Sequence, residues 1–547
     1  MLQDINQFKS GTPFETDICL VGAGAAGIDI SRFFNGTDNS VLLVESGDIK
    51  YKPEVQKLYK MKCIGKNIRD GGYKLTDDLA QFKGECRIRM FGGTTNIWSG
   101  KWKMLDPVDF AKKNWVPFSG WPICYDELLP YYQEIAQEYS IPDAIKYLLE
   151  KQETEIKQSL LGKTQDIKYT IHCTEEPPTN FGKAFYRELE ESSNVTVLFN
   201  ANAYELILSD EHNRIEQLTL KSLDGKEYSV IAKVFILTCG GLENARLLLA
   251  SNKQMTTGIG NSKDLVGRFY MDHPKGRLGI IKPLSSYLLP KYFHLEPKLG
   301  KSFTVGFSLA PAKQQQCKTF NHNLYLEPVY DNKIRLFFAI LDKLKTAFNQ
   351  RNYYQLMKAG KEFIIKFSIF YKIVIKIMLG KPINEVIHYE IAHYLEQSPN
   401  YESRLFLGEE VDTLGMRKIT IDWRLSSLDQ EYFFNFLDEI KKVFSEIKFG
   451  EMMIDEEKFK NLNFVKDASH HMGTTRMGST PDDGVVDFNC KVFGIDNLYI
   501  AGSSVFPTGG NANPTYTILA LSRRLCHHLK IQLLAVNHQP STIGRQL

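Results

Sequence analysis

The sequence has few of the features that define the specialised classes of protein. Its nine cysteines include no Cys-x-x-Cys pair, and this odd, sparse set favours reduced thiols over disulfides, a zinc site or an iron–sulfur cluster. The formal net charge is only +3, which gives no indication of a nucleic-acid partner. No internal repeat or low-complexity tract appears. The first residues lack a basic stretch followed by an apolar one, so no secretory signal is visible and we expect a cytoplasmic location.

The composition is that of a large folded protein. Apolar residues make up 43% of the 547 positions and charged residues 24%, and this length predicts more than one domain. Glycine clusters punctuate the chain at residues 22–27, 92–93, 240–241 and 502–510, each close to an apolar run. One site assembled from segments that are distant in sequence would explain this distribution.

The first glycine cluster has the pattern of a dinucleotide-binding turn. Residues 17–27, DICLVGAGAAG, run from an apolar strand into Gly22, Gly24 and Gly27, and a helix-compatible stretch follows. The glycines permit, in that order, a tight turn, close approach of a pyrophosphate and close helix–strand packing. Glu45 follows Gly27 by 18 residues, at the end of a second apolar run, where a carboxylate binds ribose hydroxyls. The pattern predicts a bound nucleotide but does not separate FAD from NAD.

Three further blocks accompany this turn. They are the run RMFGGTTNIWSGKWKMLDPVDF at 89–110, the run VFILTCGGLENARLLL at 234–249, and a C-terminal stretch at 470–525 that contains HHMGTTRMG and NANPTYTILALSRRL. Together with the turn, they resemble the glucose–methanol–choline (GMC) family of FAD oxidoreductases, nearest its branch of pyranose oxidases and sugar or sugar-acid dehydrogenases. Residues 280–460 carry little of this resemblance, so the substrate pocket is largely unpredicted.

The resemblance implies an α/β fold in which a Rossmann-like FAD-binding domain carries an inserted α+β substrate domain built on a mainly antiparallel sheet. We expect the FAD-binding domain to comprise residues 1–115, 166–275 and 465–547. The substrate-binding domain is expected at 116–165 and 276–464.

The C-terminal block implies the catalytic residues. His470 occupies the position of the family's catalytic histidine, whose neutral imidazole takes the proton of an alcohol; His471 is the rival for this role. Asn513 is the expected partner of the histidine over the flavin, and the alternative is an ordinary helix N-cap. Pro514 and Thr515 open a helix whose N-terminus would stabilise negative charge on the reduced flavin.

The second glycine cluster resembles the family loop that passes against the flavin ring, although a glycine-rich surface turn is the alternative. Some relatives attach FAD covalently through a histidine next to the tryptophan of this loop. Here that position is Ile97, before Trp98, so we predict non-covalent FAD. The predicted cofactor contacts in this loop and elsewhere are Gly92, Gly93, Thr94, Asn96, Ile97, Trp98, Ala25, Ala26, Ser46, Ala203, Cys239, Gly240, Gly502 and Ser503.

Two features stand outside this pattern. His273 lies where the chain is expected to cross between the domains, and a structural role is favoured over catalysis. Residues 361–379, KEFIIKFSIFYKIVIKIML, predict a basic amphipathic helix whose lysines argue against a bilayer-spanning segment. Packing against the core is favoured for this helix. Its alternative is peripheral contact with the inner face of a membrane through phenylalanines and lysines.

The resemblance predicts an FAD-dependent oxidoreductase that oxidises a CH–OH group of a sugar or sugar derivative to a carbonyl by hydride transfer to flavin N5. Two other catalytic interpretations stay open. One is a redox-neutral enzyme that oxidises its substrate transiently before elimination or epimerisation, and the other is a non-redox lyase of the same fold. The electron acceptor is also open among oxygen, a quinone and a protein.

Overall fold

The computed structural model describes residues 1–66, 86–142, 164–283, 295–298, 301–330, 332–349, 352–365, 371, 386–454 and 465–537. Its strands are β1 (Leu2–Asp4), β2 (Pro13–Val21), β3 (Val41–Val44), β4 (Lys62–Cys63), β5 (Lys101–Trp102), β6 (Ile167–Glu175), β7 (Val195–Phe199), β8 (Asn202–Leu208), β9 (Ile215–Lys221), β10 (Glu227–Leu237), β11 (Lys275–Pro283), β12 (Leu295–Lys298), β13 (Lys301–Leu309), β14 (Asn323–Tyr330), β15 (Val386–Tyr394), β16 (Arg404–Val411), β17 (Arg417–Asp422), β18 (Gly450–Ile454) and β19 (Leu498–Ile500). Its helices are α1 (Ala25–Phe34), α2 (Pro53–Gln56), α3 (Pro107–Phe110), α4 (Tyr125–Glu138), α5 (Phe181–Ala184), α6 (Tyr186–Glu190), α7 (Gly240–Ala250), α8 (Pro311–Cys317), α9 (Asn332–Asn349), α10 (Tyr353–Ile365), α11 (Ser427–Glu446) and α12 (Thr515–Asn537).

The first large sheet is built on parallel strands. Its order is β1-β7-β3-β2-β10-β9-β8, with β19 also paired to β10. The pairs from β1 to β10 are parallel, whereas β9 and β8 are added in antiparallel pairing. Residues 18–21 of β2 and 41–44 of β3 are all buried, which is typical of parallel strands covered on both faces. The carboxyl ends of β3, β2 and β10 are neighbours, so the residues that follow them meet at one edge of the sheet.

The second large sheet is antiparallel and has two chemically different faces. Its order is β18-β11-β15-β14-β13-β6-β5, with β12 paired to β13. One face carries apolar side chains such as Phe307, Leu324 and Ile391, and these form a buried core with Phe433 and Phe436 of α11. Because side chains alternate along a strand, the positions between these apolar residues lie on the opposite face. That face carries polar side chains, namely Lys101, Thr170, His172, Lys275, Ser308, Asn323, Tyr325 and Tyr394.

The predicted fold class is confirmed by these two sheets. The domain boundaries stay a prediction. Two strands within the ranges expected for the FAD-binding domain, β5 and β6, pair with each other and extend the antiparallel sheet through β13. The chain therefore contributes strands to the second sheet both before β7 and after β10 of the parallel sheet.

Part of the predicted amphipathic helix can be located. Its first five residues, 361–365, form the end of α10, where Lys361 is exposed. Apart from Tyr371, the remaining residues up to 379, including Lys366, Lys372 and Lys376, lie outside the described residues. Within the described ranges, no helix combines the length and apolar character that crossing a membrane requires.

A buried ion pair joins the two helices that begin at the functional cavity described below. Asp29 of α1 is fully buried, and its carboxylate accepts bonds of 2.9 and 2.8 Å from the Arg523 guanidinium of α12. The Tyr139 hydroxyl donates a third bond, of 2.8 Å, to the same carboxylate. A two-bond arginine–carboxylate contact fixes orientation as well as distance. The helices α1 and α12 are thereby held in one relative orientation.

Candidate active site

A cavity with about 260 Å³ of water-accessible space lies at the carboxyl ends of β2, β3 and β10, where nucleotides bind in open α/β sheets. It brings together residues from all four glycine clusters. The predicted site residues that line it are Gly22, Gly24, Ala25, Ala26, Glu45, Ser46, Gly93, Thr94, Trp98, Ala203, Cys239, Gly240, His470, Gly502, Ser503, Asn513, Pro514 and Thr515. The expectation that distant segments converge on one site agrees with this geometry.

Four predicted contacts do not line the cavity, and each has a structural position instead. A Cβ on Gly27 would lie 2.0 Å from the Gly22 carbonyl oxygen, and one on Gly92 would lie 2.7 Å from the Gly182 amide nitrogen. The Asn96 carboxamide donates to the carbonyls of Phe91 and Gly93 at 3.1 and 2.7 Å. Ile97 packs in a small buried cluster with Ile88 and Met90. These residues shape the two loops that border the cavity.

The first loop fits the pyrophosphate and ribose of a dinucleotide. Gly22 has φ +109°, which favours glycine, and no atom lies within 4 Å of where a Gly24 Cβ would stand. Gly24 precedes α1 and provides no side-chain cap, so the first N–H groups of this helix are available to an anion. The Glu45 oxygens accept the N–H groups of Ala23 and Gly47, each at 2.8 Å. The oxygen that accepts from Ala23 has no other donor among the described residues and keeps a lone pair for a ribose hydroxyl.

The second loop lies directly against the first. Residues Gly93–Asn96 form a short 3₁₀ turn after Gly92, whose φ is +94°. A Cβ on Gly93 would stand 2.8 Å from the Gly24 Cα atom, so only glycine permits this approach. Trp98 is held at the cavity wall by a 2.9 Å hydrogen bond from its indole N–H to the Thr179 carbonyl.

An arginine–glutamate cluster at the cavity wall was not predicted. Glu243 of α7 accepts bonds from Arg87 at 2.5 Å and Arg89 at 2.7 Å, and all three line the cavity. Burial alone would raise the pKa of Glu243, but Arg89, Arg246 and Arg87 lower it to about 2. This cluster could not be predicted, because ion pairs between residues more than 150 positions apart have no local sequence pattern.

His470 is held at the cavity by its own backbone. Ser469, just before it, has φ +59°, a strained backbone value for a residue other than glycine. The Asp467 carboxylate stabilises this turn by accepting from the Ser469 N–H and hydroxyl, both at 3.0 Å. Asp272 accepts the backbone N–H of His470 at 3.1 Å and that of His273 at 2.7 Å. The strained turn directs the imidazole into the cavity.

The imidazole of His470 contacts a neighbour at each nitrogen. Its Nε2 lies 3.1 Å from Asn513 Nδ2, and its Nδ1 lies 2.8 Å from Nδ1 of His273. Nε2 of His273 lies 2.9 and 3.3 Å from the carbonyl oxygens of Gly510 and Gly509. Two of these three side chains, His470 and Asn513, were predicted as a pair. His273 was singled out for a structural role, and the structure brings it into direct contact with His470.

The hydrogen-bond network assigns the tautomers of both histidines. Carbonyl oxygens only accept, so Nε2 of His273 carries the proton and its Nδ1 is bare, that is, unprotonated. Nδ1 of His470 must then be the donor between the two rings. Nε2 of His470 is consequently bare and accepts from the Asn513 carboxamide. The bare nitrogen is the one that lies at the cavity.

Both histidines are neutral at neutral pH. Burial lowers the pKa of His273 to about 4. Burial, followed by the nearby His273, Lys275, His471 and Lys101, holds the pKa of His470 well below its usual value of 6.5. His470 is therefore in the form that can accept a proton.

The rival histidine has different surroundings. His471 is buried, its ring stacks near Tyr270 at a centroid distance of 6.2 Å, and its carbonyl accepts from the Ser503 hydroxyl at 2.7 Å. Burial lowers the pKa of His471 to about 3. Among the described residues, the Asn513 side chain bonds His470 and forms no cap bond to the helix backbone. These contacts favour His470 over His471 as the base.

Comparison with known proteins agrees with this site. A sequence profile of the GMC oxidoreductase family matches residues 399–522, which include His470 and Asn513. The 2-methyl-1,2-propanediol dehydrogenase of Mycolicibacterium austroafricanum is 22% identical over 96% of this chain and 97% of its own length. The fructose dehydrogenase large subunit of Gluconobacter japonicus is 23% identical over 94% of this chain and 98% of its own.

The fold has relatives among solved structures. The crystal structure of pyridoxine 4-oxidase from Mesorbium loti aligns with a TM-score of 0.56 at 15% sequence identity, covering 94% of this chain and 99% of that one. GMC oxidoreductases are FAD-binding flavoproteins, and the glycine turn, Glu45 and the second loop fit that cofactor. The resemblance expected from the sequence is therefore confirmed: residues 399–522 match the GMC oxidoreductase family, and the chain is an enzyme similar over its length to dehydrogenases.

Proposed function

We propose that this enzyme oxidises a CH–OH group of a sugar or sugar derivative to a carbonyl, with non-covalent FAD as cofactor and His470 as general base. The observation that carries the proposal is the bare Nε2 of His470, 3.1 Å from the Asn513 carboxamide, in the same cavity as the dinucleotide-binding turn. The names of the relatives support it, because one is a dehydrogenase of a diol and another a dehydrogenase of fructose.

FAD bound in this cavity would supply the hydride acceptor. The residues of the chain would accept the proton. A substrate hydroxyl placed between His470 and Asn513 would donate its proton to His470 Nε2 while accepting from Asn513 Nδ2. This arrangement would increase the electron density on the substrate oxygen and fix the orientation of the carbon that bears it. His273 keeps the proton of His470 on Nδ1, so that Nε2 stays available.

We expect His470→Ala to slow anaerobic bleaching of the flavin by substrate about 10²- to 10⁴-fold, the usual contribution of a general base. The reductive half-reaction is measured by stopped-flow absorbance with a panel of sugars and polyols. Because the pKa of His470 is depressed, the neutral base persists on acidification, and the acidic limb of kcat/KM in the unmodified enzyme should lie below pH 6.5.

The matched control is His471→Asn, which should retain the half-reaction. Loss of reduction in His471→Asn, with reduction retained in His470→Ala, would reverse the assignment.

The time course of flavin bleaching also tests the alternative reactions. Lasting bleaching supports net oxidation, turnover with transient bleaching supports a redox-neutral cycle, and turnover with a redox-inert flavin analogue supports a lyase.

We expect His273→Leu to lower kcat about 10²-fold while leaving flavin content unchanged, because Nδ1–H of His470 loses its acceptor and the other tautomer becomes populated. His273→Asn should recover part of the rate, since a carboxamide oxygen can accept that bond. Thermal unfolding of both variants controls for the loss of a buried contact. Equal rates for the leucine and asparagine variants would show that accepting this bond is not the function of His273.

We expect all flavin to pass through an ultrafilter after acid denaturation, since the position of the covalent histidine is Ile97, which packs away from the cavity. The measurement is the flavin absorbance of the filtrate and of the precipitate. Ile97→His is the informative variant. Flavin that stayed with the precipitated unmodified protein would contradict non-covalent binding.

We further propose that this cytoplasmic enzyme contacts the inner face of a membrane through α9 and α10. Their exposed apolar side chains are Phe348 at 72%, Tyr353 at 77%, Tyr354 at 78%, Met357 at 78%, Ile364 at 73% and Ile365 at 73%. Lys358 and Lys361 are exposed on the same helix, at the three- and four-residue spacing that shares a face with Tyr354 and Met357. Apolar side chains with interspersed lysines suit an anionic bilayer surface.

We expect the enzyme to sediment with vesicles containing anionic lipid and to do so several-fold less after the double change Tyr354→Ser and Met357→Ser. Replacing these side chains removes apolar surface from the contact without changing charge. Ile531→Ser is the matched control, because Ile531 is an equally exposed apolar residue, at 71%, on α12. Equal sedimentation of all three proteins would contradict the proposal.

A further inference from the structure

Two lysines lie on the polar face of the antiparallel sheet, close to the base. Lys275 of β11 is directly opposite Tyr394 of β15. Lys101 of β5 is opposite Thr174, on the same face as His172. Lys101 lines the cavity together with His470 and Asn513. The charges of Lys275 and Lys101 both act on His470, whose pKa they lower after burial and His273. Two lysine charges therefore act on the base.

Among the described residues, the ammonium group of Lys101 makes neither a hydrogen bond nor an ion pair. Its described neighbours are two aromatic rings, with Nζ 5.7 Å from the Tyr325 centroid and 5.9 Å from that of Tyr394. Ring faces attract a cation but use none of its three N–H groups. A largely buried ammonium without a hydrogen-bonding partner is costly in a folded protein, and such groups are concentrated at functional sites.

The neighbouring acidic groups are already engaged. The Glu327 carboxylate, which acts on Lys101 electrostatically, is bound by Arg277 at 2.7 Å. Asp106 is bound by Lys168 at 2.8 Å and lies 3.4 Å from Lys103. Among the described residues, these carboxylates are therefore bound by other cations, and the Lys101 ammonium at the cavity wall keeps its N–H donors available.

One aromatic ring connects Lys101 with the base. The Tyr394 ring stacks near His470 at a centroid distance of 6.5 Å and an interplanar angle of 25°, and the same ring is 5.9 Å from Nζ of Lys101. Lys101 and His470 also line the same cavity, so a small molecule bound there can reach both groups. One of its ends would meet three N–H donors and the other a bare imidazole nitrogen.

We propose that the substrate is an alcohol that also carries an anionic group, a carboxylate or a phosphate, and that Lys101 binds this group while His470 accepts the hydroxyl proton. The inference rests on the proposed function and adds the substrate class to it. Lys101 acts as a specificity-determining residue because a neutral sugar would leave its ammonium unpaired. Bound anion and ammonium form a charge-assisted hydrogen bond within the cavity.

The experiment compares matched substrates on the holoenzyme under anaerobic conditions. Aldonates, uronates and sugar phosphates are tested against the neutral polyols and sugars of the same carbon number. We expect an anionic member to reduce the flavin with the lowest KM. Lys101→Met should raise that KM about 10- to 100-fold, the effect of losing a hydrogen bond between charged groups, with little change for neutral analogues. Lys101→Arg should keep part of the preference, and Lys282→Met, at an exposed lysine of the same sheet, should keep all of it.

The pH profile gives a second readout. Removing a positive charge near His470 raises its pKa, so the acidic limb of kcat/KM in Lys101→Met should move to higher pH. If Lys101→Met does not fold, the unmodified holoenzyme still decides the question. Glutarate, which has carboxylates but no hydroxyl, should perturb the flavin spectrum and inhibit competitively, whereas the neutral glutaramide should not.

The outcomes separate the inference from the proposed function. Reduction by neutral sugars and not by their anionic analogues would overturn the inference and leave the oxidation intact. An equal loss for all substrates in Lys101→Met, accompanied by a shifted flavin spectrum, would assign Lys101 to the cofactor instead. Failure of the whole panel to reduce the flavin would overturn the proposed function itself. Preference for carboxylates over phosphates, or the reverse, identifies the anionic group.

Discussion

The hydrogen bonds of His273 to the carbonyl oxygens of Gly509 and Gly510 constrain the rest of the site. Because these oxygens cannot donate, they determine which nitrogen of His273 is bare, and that nitrogen determines the tautomer of His470. A backbone feature of the last glycine cluster is thereby transmitted through two rings to the atom that would receive the proton. Asn513 then completes the chain from the other side. The tautomer of His470 therefore depends on two carbonyl groups whose residues, Gly509 and Gly510, do not line the cavity.

The electrostatics around His470 have two consequences that act together. Burial and the cations Lys275 and Lys101 keep the imidazole neutral, and the same cations would stabilise negative charge as it develops on a substrate oxygen. The two positive charges therefore keep the imidazole unprotonated and would also stabilise the deprotonated alcohol. Both lysines belong to the antiparallel sheet. His470 follows this sheet in sequence and lies near its polar face, where its ring stacks near that of Tyr394.

The sequence predicted those features whose signal is local. Gly22, Gly24 and Glu45 follow a strand–turn–helix pattern, so their meeting at one cavity could be expected from spacing alone. The pairing of His470 with Asn513 came from a motif rather than from physical reasoning on single residues. His273 and Lys101 illustrate what could not be predicted. Their roles arise from contacts between strands and loops that are far apart in sequence, and in Lys101 from sheet register that no local pattern encodes.

The bond between Asp29 and Arg523 has a consequence for motion. It ties the helix at the phosphate-binding turn to the helix beside the catalytic pair, and the Tyr139 hydroxyl locks the connection. The phosphate-binding turn and the catalytic pair thus belong to one rigid unit and cannot move apart independently. Any widening of the cavity that admits or releases a small molecule must then arise in segments that this bond does not join.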